Sequence, residues 1–247
     1  MSAYEALAAS YDALTYDIPY TRILTFWQKL CARTRTEVRS VLDLACGTGS
    51  LSVLLARAGY RVIGADLSED MLAEAAQKAA DMDGERPFFI CQPMQRLRLP
   101  QPVDAVICCL DSINYLTKPA DCQKTFHRVY DALRPGGLFV FDINTPCKLR
   151  SLDGQVFLDE TDDTYCVWRT EFDEKRRLCF YGMDIFQRAG AAWHRSCEEH
   201  VEYAYEPQEL DAWLREAGFS AVRQYGDLVL RAPKETEQRI YFSAKKE

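Results

Sequence analysis

Val41-Leu42-Asp43-Leu44-Ala45-Cys46-Gly47-Thr48-Gly49 sets a short apolar run against a turn holding two glycines, and residues 51–58 continue with helical apolar spacing. A strand that enters a helix through such a turn brings backbone close to a ligand, because glycine adds no side chain and tolerates positive φ. The first N–H groups of the helix lack partners inside it and face the same space. A dinucleotide site asks for Gly-x-Gly-x-x-Gly, and Ser52 stands where the third glycine belongs. A phosphate-binding loop asks for Gly-Lys-Ser/Thr, which the segment lacks.

Outward from this turn, β-prone apolar runs at 41–44, 61–65, 88–91, 103–110 and 138–143 alternate with helical segments at 51–58, 69–80 and 121–133. Continuous apolar strands separated by helices predict a parallel sheet covered on both faces. Gly59 reads as the end of the first helix and Ser68 as the N-cap of the second. Arg134-Pro135-Gly136-Gly137 reads as the turn that closes the helix over 121–133. After Asn144 the texture changes. Residues 165–172, 178–186 and 193–203 are aromatic, alternate with charge, and are separated by polar turns at 173–176 and 189–191. They predict an antiparallel meander inserted as a lobe. A helix over 207–217 and runs at 219–225 and 239–244 return to the α/β texture, while residues 1–37 form an aromatic, helical amino-terminal segment. The expected organisation is a cap over 1–37, a core over 38–144 and 206–247, and a β lobe over 145–205.

The first motif, from Leu42 to Gly49, resembles that of the class I S-adenosylmethionine-dependent methyltransferases, and further matches follow in that family's order. Gly64-Ala65-Asp66-Leu67-Ser68 ends the second strand on an acid; residues 104–111 are similar to the fourth strand; Leu133-Arg134-Pro135-Gly136-Gly137 is similar to the turn into the fifth. The likeness covers about residues 38–144, with a weaker echo in the last forty. It implies a Rossmann-like class I methyltransferase fold: a seven-stranded, mostly parallel sheet with helices on both faces, here with an inserted antiparallel β lobe. It implies S-adenosyl-L-methionine as cofactor and S-adenosyl-L-homocysteine as product. By the same resemblance Asp43 anchors the methionyl amine, and Ala45, Gly47 and Gly49 let the backbone pass beside the cofactor. Asp66 accepts from the ribose cis-diol, for which an acceptor-only carboxylate is suited. Leu67, Met71 and Met94 belong to the adenosyl side, and Asp111 stands where the methyl group points.

One position departs from the family. Cys91-Gln92-Pro93-Met94-Gln95 puts a proline where relatives carry an adenine-binding acid. Proline supplies neither carboxylate nor N–H, so the adenine falls to the Met94 backbone, a neighbouring glutamine or packing. The opening Tyr4-Glu5-Ala6-Leu7-Ala8-Ala9-Ser10-Tyr11-Asp12 resembles a small-molecule subgroup in which this segment caps the cofactor. Tyr11 is the first candidate and Tyr4 the second for a ring beside the sulfonium, whose charge suits a π-face.

The formal charge is -7 and the pI about 5.2, with no Lys/Arg run, which argues against a nucleic-acid acceptor. No apolar run has membrane-spanning length and no leader pattern opens the chain, so a cytoplasmic protein without a membrane partner is expected. The ten cysteines include no Cys-x-x-Cys pair and read as reduced, buried thiols rather than a metal site. Methyl transfer is a displacement in which the cofactor carries the hard chemistry, and alignment alone can remove about 7–11 kcal/mol of barrier. An amine acceptor only has to lose a proton, whereas a hydroxyl needs a base. The candidate catalytic residues are Asp111, Asn114 and Tyr115, with Asp142 and Asn144 as helpers. In the lobe, Trp168, Phe172, Tyr181, Trp193 and Tyr203 read as the alternating inner face of a small sheet, with the lining of an acceptor pocket as the alternative. Glu198, Glu199 and Glu202 read either as a recognition site for a cationic amine or as a solvated strand face, and His194 and His200 read as structural or exposed. The expected function is methyl transfer to N or O of a small molecule, with the lobe as a surface for a homodimer. The alternatives are tRNA or protein methylation, and a non-catalytic S-adenosylmethionine-binding regulator.

Overall fold

The computed structural model describes residues 11, 12 and 14–247, so the reading of Tyr4 lies outside the described residues. Seven strands form one sheet in the order β10-β11-β5-β4-β1-β2-β3. They are β1 Ser40–Leu44, β2 Arg61–Asp66, β3 Phe88–Cys91, β4 Val103–Cys108, β5 Leu133–Asn144, β10 Ser220–Tyr225 and β11 Arg239–Lys245. The pairs β1–β2, β1–β4, β2–β3 and β4–β5 are parallel; β11 runs antiparallel to β5 and to β10.

All five residues of β1 are buried, as a central strand covered on both faces requires. One face packs Leu42, Leu44, Phe139, Phe141 and Phe242 against α4 (Pro119–Ala132) and α6 (Pro207–Glu216), through Phe126 and Leu210. There the Phe141 and Phe242 rings stack at 4.7 Å. The other face packs Val41, Ala105 and Val140 against Phe26, Trp27 and Leu30 of α1 (Tyr20–Thr34) and Leu51 and Leu55 of α2 (Ser50–Arg57). Each fully buried side chain of this size contributes about 1.5–3 kcal/mol. The third crossover helix, α3 (Glu69–Ala80), starts at Ser68, whose hydroxyl accepts the Met71 N–H, and α2 ends beside Gly59 at φ +92°.

Arg134 to Gly137 are not a free turn but the irregular first part of β5. The Gly136 N–H donates to the Lys246 carbonyl and the Lys246 N–H to the Gly137 carbonyl, so the chain's last strand holds this segment in the sheet.

Between β5 and α6 the chain forms α5 (Pro146–Ser151) and a second, antiparallel sheet in the order β6-β7-β8-β9. Its strands are β6 Val156–Glu160, β7 Thr164–Asp173, β8 Leu178–Ala189 and β9 Ala192–Tyr203. Strand β6 and helix α5 go beyond the expected meander. Every residue of β6 is exposed, so this edge strand has no buried face to impose an alternating pattern. Of the ten cysteines, all free, Cys91, Cys147 and Cys197 are exposed rather than buried. Among the described residues no helix is long and apolar enough to cross a membrane.

Candidate active site

The carboxyl ends of β1, β2 and β4 surround a cavity of about 330 Å³, where open α/β sheets place their ligands. The turn after β1 forms one wall. Ala45 at φ +58°, Gly47 at φ +53° and Gly49 at φ +72° bend it sharply. A Cβ built on Gly47 meets nothing within 4 Å, so the space above this residue belongs to the cavity. At Gly49 the same atom would lie 2.9 Å from the Ala75 Cβ and 3.1 Å from the Phe89 ring. Gly49 therefore serves the close approach of α2 to α3 and β3, behind the cavity, and does not line it.

Asp43 faces the cavity and is 2% exposed. Its Oδ2 accepts the Ser52 hydroxyl at 2.6 Å. Ser52, which the dinucleotide pattern reads as a missing glycine, is thus the partner of this acid. Burial pushes the Asp43 carboxyl up to about 7, Ser52 pulls it down in part, and Asp66 adds repulsion. A cation brought against Asp43 offsets that burial.

Asp66 is held at the end of β2 by two backbone donors, the Gly47 N–H at 2.8 Å and the Ser68 N–H at 2.9 Å. Burial raises its carboxyl above the ordinary range while these two bonds oppose the rise. Leu67, 66% exposed, lies at the rim and Met71 is buried beneath it. Beyond them stands the 3-10 turn Met94–Arg96, with Pro93, Met94 and Gln95 on the wall. Gln92 also reaches the wall, but its side chain is clasped to the Arg98 backbone: Oε1 accepts the Arg98 N–H and Nε2 donates to the Arg98 carbonyl.

The wall from β4 is built differently from expectation. Leu110 and Asp111 both adopt positive φ, +61° and +52°, an uncommon pair for non-glycine residues. The buried Asp142 of β5 holds them there by accepting both N–H groups, at 2.8 and 3.0 Å, and by pairing with Arg239. Arg239 also binds Asp111 Oδ1 at 2.6 Å. Leu110 and Ser112 line the cavity, whereas Asp111 does not and its charge acts on Tyr11 and on Tyr181 and Glu202 of the lobe. Asn114 is fully buried; its amide donates to the Asn144 and Tyr203 carbonyls and accepts the Asn144 N–H. Of the three residues expected beside the acceptor, only Tyr115 lines the cavity, together with Cys109 and Leu116. Asp111 and Asn114 support that wall instead. Asp142 and Asn144, expected as helpers, are buried in the same supporting bonds.

Tyr11 and Tyr20 close the cavity from the amino-terminal side. Burial raises both phenols, Tyr20 to about 12. The lobe meets this closure from above. Tyr11 and the buried Leu14 pack on Cys166, Trp168, Met183 and Ile185. The five lobe aromatics divide between the faces: register puts Trp168 opposite Met183, and Thr170 and His200 opposite Tyr181, on the inner face. Trp193 lies outside under Arg188. Tyr203 tilts against Tyr205. The glutamates divide too. Glu199 points outward, while Glu198 binds the buried His200 at 2.9 Å and Glu202 binds Asn144 Nδ2 at 3.0 Å. Burial and nearby Asp111 raise the Glu202 carboxyl.

A family model described as a methyltransferase domain matches residues 41–137 of the chain. Over 245 residues the chain is 31% identical to YqeM of Bacillus subtilis (strain 168), a protein whose name assigns it provisionally to the methyltransferases; the match covers 98% of this chain and 97% of that one. The chain belongs to the class I S-adenosylmethionine-dependent methyltransferases. A crystal structure of such an enzyme from Clostridium acetobutylicum ATCC 824 superposes with a TM-score of 0.88 at 30% identity, covering 98% of both chains. The demethylmenaquinone methyltransferase of Thermus thermophilus is 33% identical over 230 residues, 88% of this chain and 91% of that one. The cofactor of this methyltransferase is S-adenosylmethionine, and the cavity suits it. A buried acid awaits a cation at one end, the space over Gly47 admits a ligand against backbone, and the remaining wall is mostly apolar.

Proposed function

We propose that this methyltransferase transfers the methyl group to a nitrogen or oxygen of a small molecule. The observation that carries the reading is the contact beside the cavity: Tyr11, which lines it, and Leu14 pack on Cys166, Met183 and Ile185 of the lobe. A lobe seated on the residue that borders the cavity suits a small acceptor better than a polymer chain. The net charge of -7 agrees, since a nucleic-acid acceptor calls for a basic face.

The cofactor supplies an activated methyl carbon; the chain's residues bind, orient and exclude water. In this reading Asp43 holds the methionyl amine as an ion pair, Asp66 accepts from the ribose hydroxyls, and Tyr11 lays its ring near the positive sulfur. Gln95 takes the adenine edge, because Pro93 has no donor or acceptor to offer there beyond its carbonyl and Gln92 is committed to Arg98. Tyr115 provides the hydroxyl on the acceptor side, and Leu110, Ser112 and Leu116 shape the space beside it.

Two measurements test this. Calorimetry should show S-adenosylhomocysteine binding that Asp66→Ala weakens at least tenfold. Turnover across a panel of small amines and phenols should then yield a methylated product. Turnover of transfer RNA or a protein, with none of the small molecules methylated, rejects the acceptor class while leaving the cofactor site intact.

A further inference from the structure

The turn that carries Tyr11 and Asp12 is fixed to two separate parts of the molecule. On one side Asp12 Oδ1 accepts the Thr48 hydroxyl at 2.7 Å and the Ser50 hydroxyl at 3.4 Å. Its Oδ2 pairs with Lys78 Nζ at 2.5 Å. Lys78, on α3, also donates to Thr48 Oγ1 at 3.1 Å and Ser50 Oγ at 2.6 Å. The four side chains close a polar ring over the β1–α2 turn, whose residues Gly47 and Thr48 form the cavity wall. On the other side Leu14 is buried among Cys166, Met183 and Ile185 of the lobe. The Thr15 N–H and hydroxyl both donate to the Tyr11 carbonyl, at 2.9 and 2.6 Å, and so tie the two ends of the turn together.

We propose that Asp12 and Lys78 form an ionic latch that positions Tyr11 over the bound cofactor, and that Leu14 couples this latch to the β lobe. The inference rests on the cofactor site alone and holds whatever the acceptor is. Neither partner is buried: their side chains are 48% and 28% exposed. Such a pair holds weakly and yields to salt, which suits a closure that opens for cofactor exchange in each turnover. Because the polar and apolar contacts sit on one turn, whatever tightens the lobe on Leu14 raises cofactor affinity, and by reciprocity a bound cofactor steadies the lobe.

The test is stopped-flow release of S-adenosylhomocysteine from the full chain. D12N and K78M should each release it about five- to tenfold faster than wild type, the scale of one weak ion pair with its hydrogen bonds. The double reversal D12K/K78D should recover most of the wild-type rate. Added salt should speed release from wild type and leave D12N nearly unchanged. L14A, which leaves all four side chains of the polar ring in place, should also speed release severalfold. Wild-type release from a folded D12N variant overturns the latch, as does a double reversal no slower than the single variants. Wild-type release from folded L14A overturns the coupling. Failure of the wild-type chain to bind S-adenosylhomocysteine is a different result and strikes the cofactor site itself.

Discussion

Asp43 and Asp66 are neighbouring acids at strand ends, and their surroundings assign them different tasks. Asp66 has two backbone donors, whereas Asp43 has the Ser52 hydroxyl and a carboxyl raised to about 7. An acid raised in the folded state binds protons on folding, so its stabilising contribution is complete below the unfolded value near 4 and is lost as pH climbs through 7. The methionyl amine needs the ionised form. Cofactor affinity should therefore rise by about tenfold per pH unit up to pH 7 and then level off. Titration calorimetry between pH 5.5 and 8 checks this, and a flat profile for wild type rejects Asp43 as the amine anchor. Asp43→Asn should flatten it. A second residue-level contrast lies at Gln95 and Gln92. Gln95→Ala should raise the Kd for S-adenosylhomocysteine about tenfold, the worth of one good hydrogen bond in a dry site. An equal affinity for Gln95→Ala and wild type removes Gln95 from the adenine edge.

At the scale of elements, the two glycines of the β1–α2 turn separate binding from stability. Gly47 opens onto the cavity and Gly49 onto Ala75 and Phe89. Gly49→Ala should cost about 1–3 kcal/mol in denaturant unfolding, through positive φ and overpacking together. Gly47→Ala should cost about 1 kcal/mol or less yet weaken S-adenosylhomocysteine more than Gly49→Ala does. The reverse ranking in binding would contradict the cradle at Gly47. The ends of β4, β5 and β11 are tied by Arg239, which is shared between Asp111 and the fully buried Asp142. Arg239→Met leaves Asp142 buried without its cation and should cost about 3 kcal/mol, on the scale of breaking one partner from a buried pair. A loss below about 1 kcal/mol would show that the two backbone N–H bonds suffice for Asp142. The strands, the crossover helices and their caps were legible in sequence because apolar spacing and capping residues act over one or two turns of chain. Strand β6 was not, since a strand exposed on every residue has no burial to write a pattern. The bulged start of β5 was not, since its partner is Lys246 at the far end of the chain.

On the scale of the molecule, cofactor binding and folding are one equilibrium. The sheet ends and the amino-terminal turn border the cavity and the lobe packs on that turn, so S-adenosylhomocysteine at a hundredfold its Kd should add about 2.7 kcal/mol to stability. That corresponds to a rise in Tm of about 5–10 °C for a chain of this size. Asp66→Ala should lose most of the shift, and a wild-type shift below about 1 °C at saturation contradicts binding to the native state. The stabilisation should grow between pH 5 and 8, because the apo chain pays for burying Asp43 ionised and the complex does not.

The sheet's parallel core, the glycine turn from Asp43 to Gly49 and the acid that ends β2 could be read directly from the chain's own residues. These features are contiguous, and their chemistry lies in local turn geometry and spacing. The sequence also located the weak point at Pro93. Which polar residues after β4 line the cavity depends on long-range folding. Asp111 and Asn114 look catalytic in a linear reading, because they follow a strand at the expected place. Arg239 draws Asp111 away from 128 positions along the chain, and the Tyr203 carbonyl claims Asn114 from 89 positions away. Whether a polar group near a site is free to act depends on such partners, and no local pattern encodes them. Likewise, the division of Glu198 and Glu202 from Glu199 follows from which face of β9 meets the core, a register that sheet packing alone sets.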